Sequence, residues 1–491
     1  MRATHVYDAL FAATPTMPLD PTDAPPALPS VASSEPKLRP AALSGYGLGI
    51  IAYQYPHTGL ALLVLPLFNV ELGLPPTTVG AILMICRIWD AITNPLMGVL
   101  SDNTRTRWGR RRPYLVIGAI LCALAYPLVW FAPRGASHFA LGSHLLLSTM
   151  LLFTFFAIYS VPYMALGLEL SPDYHERTRV QVWRTYFGLI PVLTAGWFYW
   201  VCQRPVFGDT LTGARWLGVA VGMIILLTGV APGLLVRERY YRLSAKRERE
   251  PWLAQLRAAL SNRPFVLVMG IIASLTIGWQ TTDALGFYVL TYHVFGGDTM
   301  AAGRLSGISI TAVTLSSFVA IPIVRWVESR WGKTRALRVC LWCNIVAAGS
   351  KWFLATPAHP YLWLAIGVLA NFCSIGFWIL VNSMKADVCD HDELSSGRRR
   401  EGTFGAIGNL IQKAMGSLTY LLGGIILQWA GYDAALGHAQ HPESILWLRV
   451  AFSIGPVLFL ALCLALLDRY PLDRNTMSDI RSELERRRAT V

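Results

Sequence analysis

Arg87-Ile-Trp-Asp90-Ala-Ile-Thr-Asn94-Pro opens a stretch that closes, at 102–113, with Asp-Asn-Thr-Arg-Thr-Arg-Trp-Gly-Arg-Arg-Arg-Pro. The first part puts two ionisable side chains inside an apolar run. Charge within a membrane span is costly and marks a pathway or a binding site. The second part is a dense basic loop, the signature of a segment kept on the cytoplasmic side of a bilayer. One stretch therefore predicts both a class of protein and the place where it works.

Composition extends that reading. The 491-residue chain is 54% hydrophobic and only 14% charged, where a soluble chain carries about 25% charge. Twelve apolar stretches long enough to cross a bilayer fall at 44–70, 77–100, 113–133, 139–168, 180–202, 215–236, 264–295, 304–327, 336–356, 361–384, 403–430 and 445–467. The expected fold class is an all-α membrane protein. The net charge of +13 invites a nucleic-acid reading, but its distribution excludes one. Basic residues crowd every second loop, as with Arg105, Arg107 and Arg110 to Arg112 after the second span and Arg330, Lys333 and Arg335 after the eighth. The alternate loops carry few, so both termini are expected in the cytoplasm.

Residues 1–43 are rich in Pro, Ala and Ser and lack an early apolar core. They are expected to be a disordered cytoplasmic tail rather than a signal peptide. Residues 469–491 form a second cytoplasmic tail, with a short helix expected over 478–488. The eight cysteines show no metal-site or disulfide spacing. The histidines are scattered, and no Ser–His–Asp arrangement stands out, so neither an enzyme nor a metal centre is expected.

A short motif occurs twice. Arg107-Trp-Gly-Arg110 follows the second span and Arg330-Trp-Gly-Lys333 follows the eighth. A six-span unit used twice resembles the organisation of major facilitator transporters. The expected halves are 44–236 and 264–468, six helices each, joined by a basic cytoplasmic linker at 237–263.

Polar residues inside the spans are few enough to name. Arg87, Asp90 and Asn94 are spaced i, i+3, i+7 and share one helical stripe. A buried Asp90 needs a cation or donor, and Arg87 is one turn away. This reads either as a static ion pair or as an ion or proton site. Span 1 offers Gln54 and His57; the histidine reads first as packed and neutral, second as titrating. Arg184 begins span 5. Span 7 carries Trp279, Gln280, Thr281, Thr282 and Asp283, a run too polar to face lipid and expected to line the cavity. Span 10 sets Trp378 beside Asn382, and span 11 carries Gln412 and Lys413. A lysine that deep needs a carboxylate or an anionic ligand, and Asp90 and Asp283 are the candidates. Aromatic rings interleaved with amides and carboxylates suit a sugar. Arg87, Asp102, Arg110, Asp387, Asp390 and Arg399 are the expected gating residues, with an ordinary solvated loop as the other reading of the 385–402 cluster.

These residues resemble the glycoside–pentoside–hexuronide:cation symporters, the melibiose permease group. The likeness is carried by 87–98 and 104–113, by Val161-Pro-Tyr with Pro172-Asp-Tyr-His-Glu-Arg177, and by Asp387-Val-Cys-Asp390 with Arg399-Arg-Glu-Gly402. It runs from about residue 44 to 470. It implies a major facilitator fold of 12 transmembrane helices, alternating access, and uptake of a glycoside with a cation across a bacterial inner membrane. By position, the resemblance makes Asp90 a cation-site carboxylate, Arg184 a sugar-site arginine, Trp378 a sugar-site aromatic and Lys413 the lysine near the cation site. Three positions depart from the family. Asn94 replaces the second cation-site carboxylate, while Gln54 and Ser160 stand where sugar-binding aspartates are expected. With one full charge missing, coupling to H+ rather than Na+ is expected, and no further cofactor. The expected partners are a small glycoside and the lipid bilayer, with the chain acting as a monomer. A lysolipid carrier and a non-transporting membrane sensor are the rival expectations.

Overall fold

A computed structural model describes residues 38–170, 174–236, 252–397 and 400–489; Arg399 lies outside them. The described residues form helices and no strand. In chain order these are α1 (Pro40–Val64), α2 (Pro76–Asn103), α3 (Arg112–Trp130), α4 (His138–Glu169), α5 (Tyr174–Ala195), the short α6 (Phe198–Cys202), α7 (Thr210–Leu235), α8 (Trp252–Ser261), α9 (Arg263–Tyr288), α10 (Thr299–Trp331), α11 (Lys333–Leu354), α12 (Trp363–Ser396), α13 (Glu401–Trp429), α14 (Pro442–Leu467) and α15 (Arg474–Ala489).

Helix starts follow local chemistry. Side-chain oxygens of Ser137, Asp209, Asn262 and Asp298 accept from the free N–H groups at the first turns of α4, α7, α9 and α10, satisfying donors that have no partner within the helix. The repeated Trp-Gly pair has a backbone reason. Gly109 and Gly332 adopt φ of 110° and 76°, a region that a Cβ disfavours, and each turns the chain into the next helix.

Ten described helices are long and apolar enough to cross a membrane, against twelve spans expected. The stretches expected at 180–202 and 336–356 are helical, as α5 with α6 and as α11. They fall short because α5 carries Glu176, Arg179 and Arg184, and α11 carries Lys333, Arg335, Arg338 and Lys351. The first helix starts at Pro40, four residues inside the stretch expected to be tail. Within the expected linker, α8 is helical.

Helices α1 to α7 pack on one another and α9 to α14 on one another. The two sets meet where α2 runs along α13 and where α5 and α6 meet α10. Small residues set the first seam. A Cβ on Gly80 would press into the backbone carbonyl of Tyr420, and one on Gly424 would sit 2.5 Å from that of Pro76. At the end away from the basic loops, the seam is stitched further. Tyr288 OH donates to the fully buried Asn69 Oδ1 at 2.7 Å, Gln203 Nε2 to Thr299 Oγ1 at 2.8 Å and Trp197 Nε1 to Thr311 Oγ1 at 3.2 Å.

Candidate functional site

Asp90 projects from the middle of α2 at its seam with α13. Its side chain is 1% exposed, and Oδ2 accepts from Lys413 Nζ at 2.9 Å. Oδ1 has no partner, and neither has the buried Oδ1 of Asn94, one turn further along α2. Lys413 is 44% exposed, so its ammonium sits at the edge of the seam rather than deep in it. Of the two carboxylates considered for Lys413, Asp90 is the one it meets.

The expectation that Arg87 compensates Asp90 gives way to this pairing. Arg87 Nη1 lies 2.6 Å from His57 Nδ1, Nη2 donates to Tyr420 OH at 3.2 Å, and the guanidinium stands over the Phe153 and Tyr420 rings. A guanidinium only donates, so Nδ1 of His57 accepts and its ring proton is on Nε2. His57 also meets Phe156 edge-on, with centroids 4.7 Å apart. It is a packed, neutral histidine that holds Arg87.

Two joints therefore cross from one half to the other at mid-helix: Asp90 to Lys413 and Arg87 to Tyr420. Around them, Gln54 Nε2 donates to the Gly188 carbonyl at 3.1 Å, tying α1 to α5. Arg184 donates to Gln181 and acts electrostatically on Tyr46 and Tyr53, the latter also within reach of Arg87 and Asp90. On the other half, Gln280 Oε1 accepts from Thr419 Oγ1 of α13 at 3.1 Å, and Asp283, one turn on, is exposed. Trp279 shares a face of α9 with Asp283, whose carboxyl its side chain approaches. It turns into the α9–α14 bundle and lines a pocket there with Thr282 and Lys351. Trp378 stacks edge-on against Phe377 and packs on the core of the same bundle. Asn382 is exposed and Gln412 half-buried, and among the described residues neither side chain hydrogen-bonds to Asp90 or Lys413.

The expected gate is different in kind. Asp102 pairs with Arg110 at 3.9 Å and Arg111 at 3.4 Å. Asp387 pairs with Lys333 at 2.7 Å and with Arg481 of α15 at 2.9 Å, and Asp390 faces Arg481 at 3.5 Å. Each set ties a loop to its own half. The helix expected over 478–488 runs instead from Arg474 to Ala489, and through Arg481 it forms part of this tie.

Sequence reasoning missed Tyr420 and Phe153, which place Arg87, because aromatic residues in spans have no distinguishing spacing. It also missed Lys351, for which a signal exists: a lysine inside an otherwise apolar run. No group of three or more His, Cys, Asp or Glu able to hold a metal occurs among the described residues.

The family described as MFS/sugar transport protein matches residues 45–474. The uncharacterized symporter sll1374 of Synechocystis sp. is 27% identical, over 84% of this chain and 91% of that one. The isoprimeverose transporter of Lactiplantibacillus pentosus is 24% identical, over 82% of each chain. Among solved structures, the D-xylose-proton symporter superposes with a TM-score of 0.56 at 16% identity, covering 86% of this chain and 96% of that one; that likeness is one of fold.

Proposed function

Because the chain belongs to the MFS/sugar transport protein family, we propose that it is a secondary active transporter that imports a glycoside or oligosaccharide by alternating access, driven by protons rather than Na+. The observation that carries the coupling is Asp90, a buried carboxylate that pairs with Lys413 on the other half. Protonating Asp90 removes the charge that holds Lys413 and so loosens α2 from α13. Binding of a proton thereby becomes a change in the equilibrium between two arrangements of the halves. A bare Na+ requires several oxygens to replace its hydration. Here Asp90 is already neutralised by an ammonium, and Asn94 adds an oxygen without charge.

The basic-loop end is assigned to the cytoplasm by its charge. The stitched end then faces outward, and the arrangement described is the inward-open one. The glycoside lies between the halves near the Asp90 level, where Gln54, Arg184, Gln280, Asp283, Asn382 and Gln412 supply donors and acceptors and Trp378 an apolar face. Among the described residues the hydrogen bonds of Arg87 and Arg184 go to uncharged partners, which favours a glycoside bearing an acidic group. A lysolipid phosphate held by Arg184 and Lys413 fits less well, since Asp90 already occupies Lys413.

The test is a thermal-shift screen of neutral and acidic glycosides, followed by uptake of the stabilising one into proteoliposomes. Accumulation driven by an imposed pH gradient, and not by a Na+ gradient, is expected. Accumulation driven by Na+ alone would overturn the coupling, and stabilisation by lysolipid but by no glycoside would overturn the substrate class.

A further inference from the structure

Away from the seam, α9, α11, α12 and α14 surround a pocket of about 40 Å³ lined by Gly278, Trp279, Thr282, Asn344, Lys351 and Ser374, with apolar side chains closing the rest. Lys351 is 9% exposed, and its side chain makes no hydrogen bond or ion pair among the described residues. Its ammonium stands 4.6 Å above the centre of the Phe452 ring. A ring face offsets part of the charge but accepts none of its three N–H bonds. Ser374 is 2% exposed, and its buried Oγ has no partner. Asn344 commits one of its two amide N–H bonds to the Cys340 carbonyl. Asp283, one residue past Thr282, acts on Lys351 through space but forms no ion pair with it among the described residues.

The pocket therefore presents one buried cation and one buried hydroxyl without a hydrogen-bond partner among the described residues, and no anionic group among them touches either. Asp283 offsets the charge only through space, and water would satisfy the hydrogen bonds without adding a counter-charge in contact, which leaves the buried ammonium incompletely compensated. The volume corresponds to about three water-sized spheres, too small for any sugar. We propose that this pocket binds one small inorganic anion of halide size, held by the Lys351 ammonium and the Ser374 hydroxyl, as a site separate from the glycoside path. The proposal does not depend on the identity of the glycoside or of the coupling ion.

The experiment uses the purified full chain in detergent, with sodium gluconate exchanged for sodium chloride or bromide at constant ionic strength. The melting temperature should rise saturably with halide. Ser374→Ala should weaken the apparent halide affinity about tenfold, the cost of one hydrogen bond to a charged group, and Lys351→Met should abolish the response. Asp283→Asn should tighten halide binding, because it removes the competing negative charge. Equal melting temperatures in gluconate and halide for the wild type would overturn the proposal, as would a halide response that survives Ser374→Ala unchanged. Should Lys351→Met fail to fold, crystals of the wild type grown in bromide decide: an anomalous peak between Lys351 and Ser374 supports the site, and its absence there overturns it.

Discussion

The two ends of the transporter are tied in opposite ways. At the end away from the basic loops, bonds run from one half to the other: Tyr288 to Asn69, Gln203 to Thr299, with Gly80 and Gly424 letting α2 and α13 approach backbone to backbone. At the basic-loop end, the ion pairs among the described residues stay within a half, as with Asp102 to Arg111 and Asp387 to Lys333 and Arg481. Bonds within a half make it a rigid body, and bonds between halves select which end is shut. The charge pair Asp90–Lys413, with its carboxylate buried and its ammonium half-exposed, lies between these regions and crosses the seam.

Substitutions that break this contrast should differ in size. The largest effect is expected from Gly80→Val. A side chain there meets a backbone carbonyl that cannot move without parting the helices, so transport should fall at least tenfold. Cysteine labelling from the outer face would show the seam standing open. Next is Lys413→Met, which leaves Asp90 buried and unpaired. It should cost about 3 kcal/mol of stability in denaturant unfolding, and adding Asp90→Asn should restore most of that. Tyr288→Phe strips the donor from a fully buried amide oxygen and should cost about 1–2 kcal/mol, with the outer face labelled faster. Asp102→Asn should be smallest, under about 1 kcal/mol, because its carboxylate is 39% exposed and such pairs are screened. Its labelling pattern should match the wild type, since it breaks a tie within a half.

Much of the fold could be read from the chain, because burying backbone polar groups in lipid leaves helices as the only solution for long apolar runs. The two helices that fall short of a span by composition, α5 and α11, are those with charge near their ends or facing inward, where neighbouring helices rather than lipid decide the environment. The site was legible in part. Asp90, Asn94 and Lys413 can be named from their positions, and Asp90 and Lys413 meet. The run 279–283 misled, because successive helical residues point about 100° apart. Trp279, Thr282 and Asp283 lie on the Lys351 side of α9 while Gln280 turns to Thr419 of α13, so one polar stretch serves two places. Arg87 was assigned to the nearest carboxylate along its own helix. The partners it takes, His57 and Tyr420, come from other helices, and spacing along one helix does not reveal them.

We propose that the charge on Asp90 converts a proton gradient into movement across the seam. The decisive measurement is Asp90→Asn in proteoliposomes, with counterflow of the screened glycoside and its pH-driven accumulation followed in the same vesicles. Counterflow should persist while accumulation is lost. Accumulation driven by the pH gradient at the wild-type level in Asp90→Asn would contradict it.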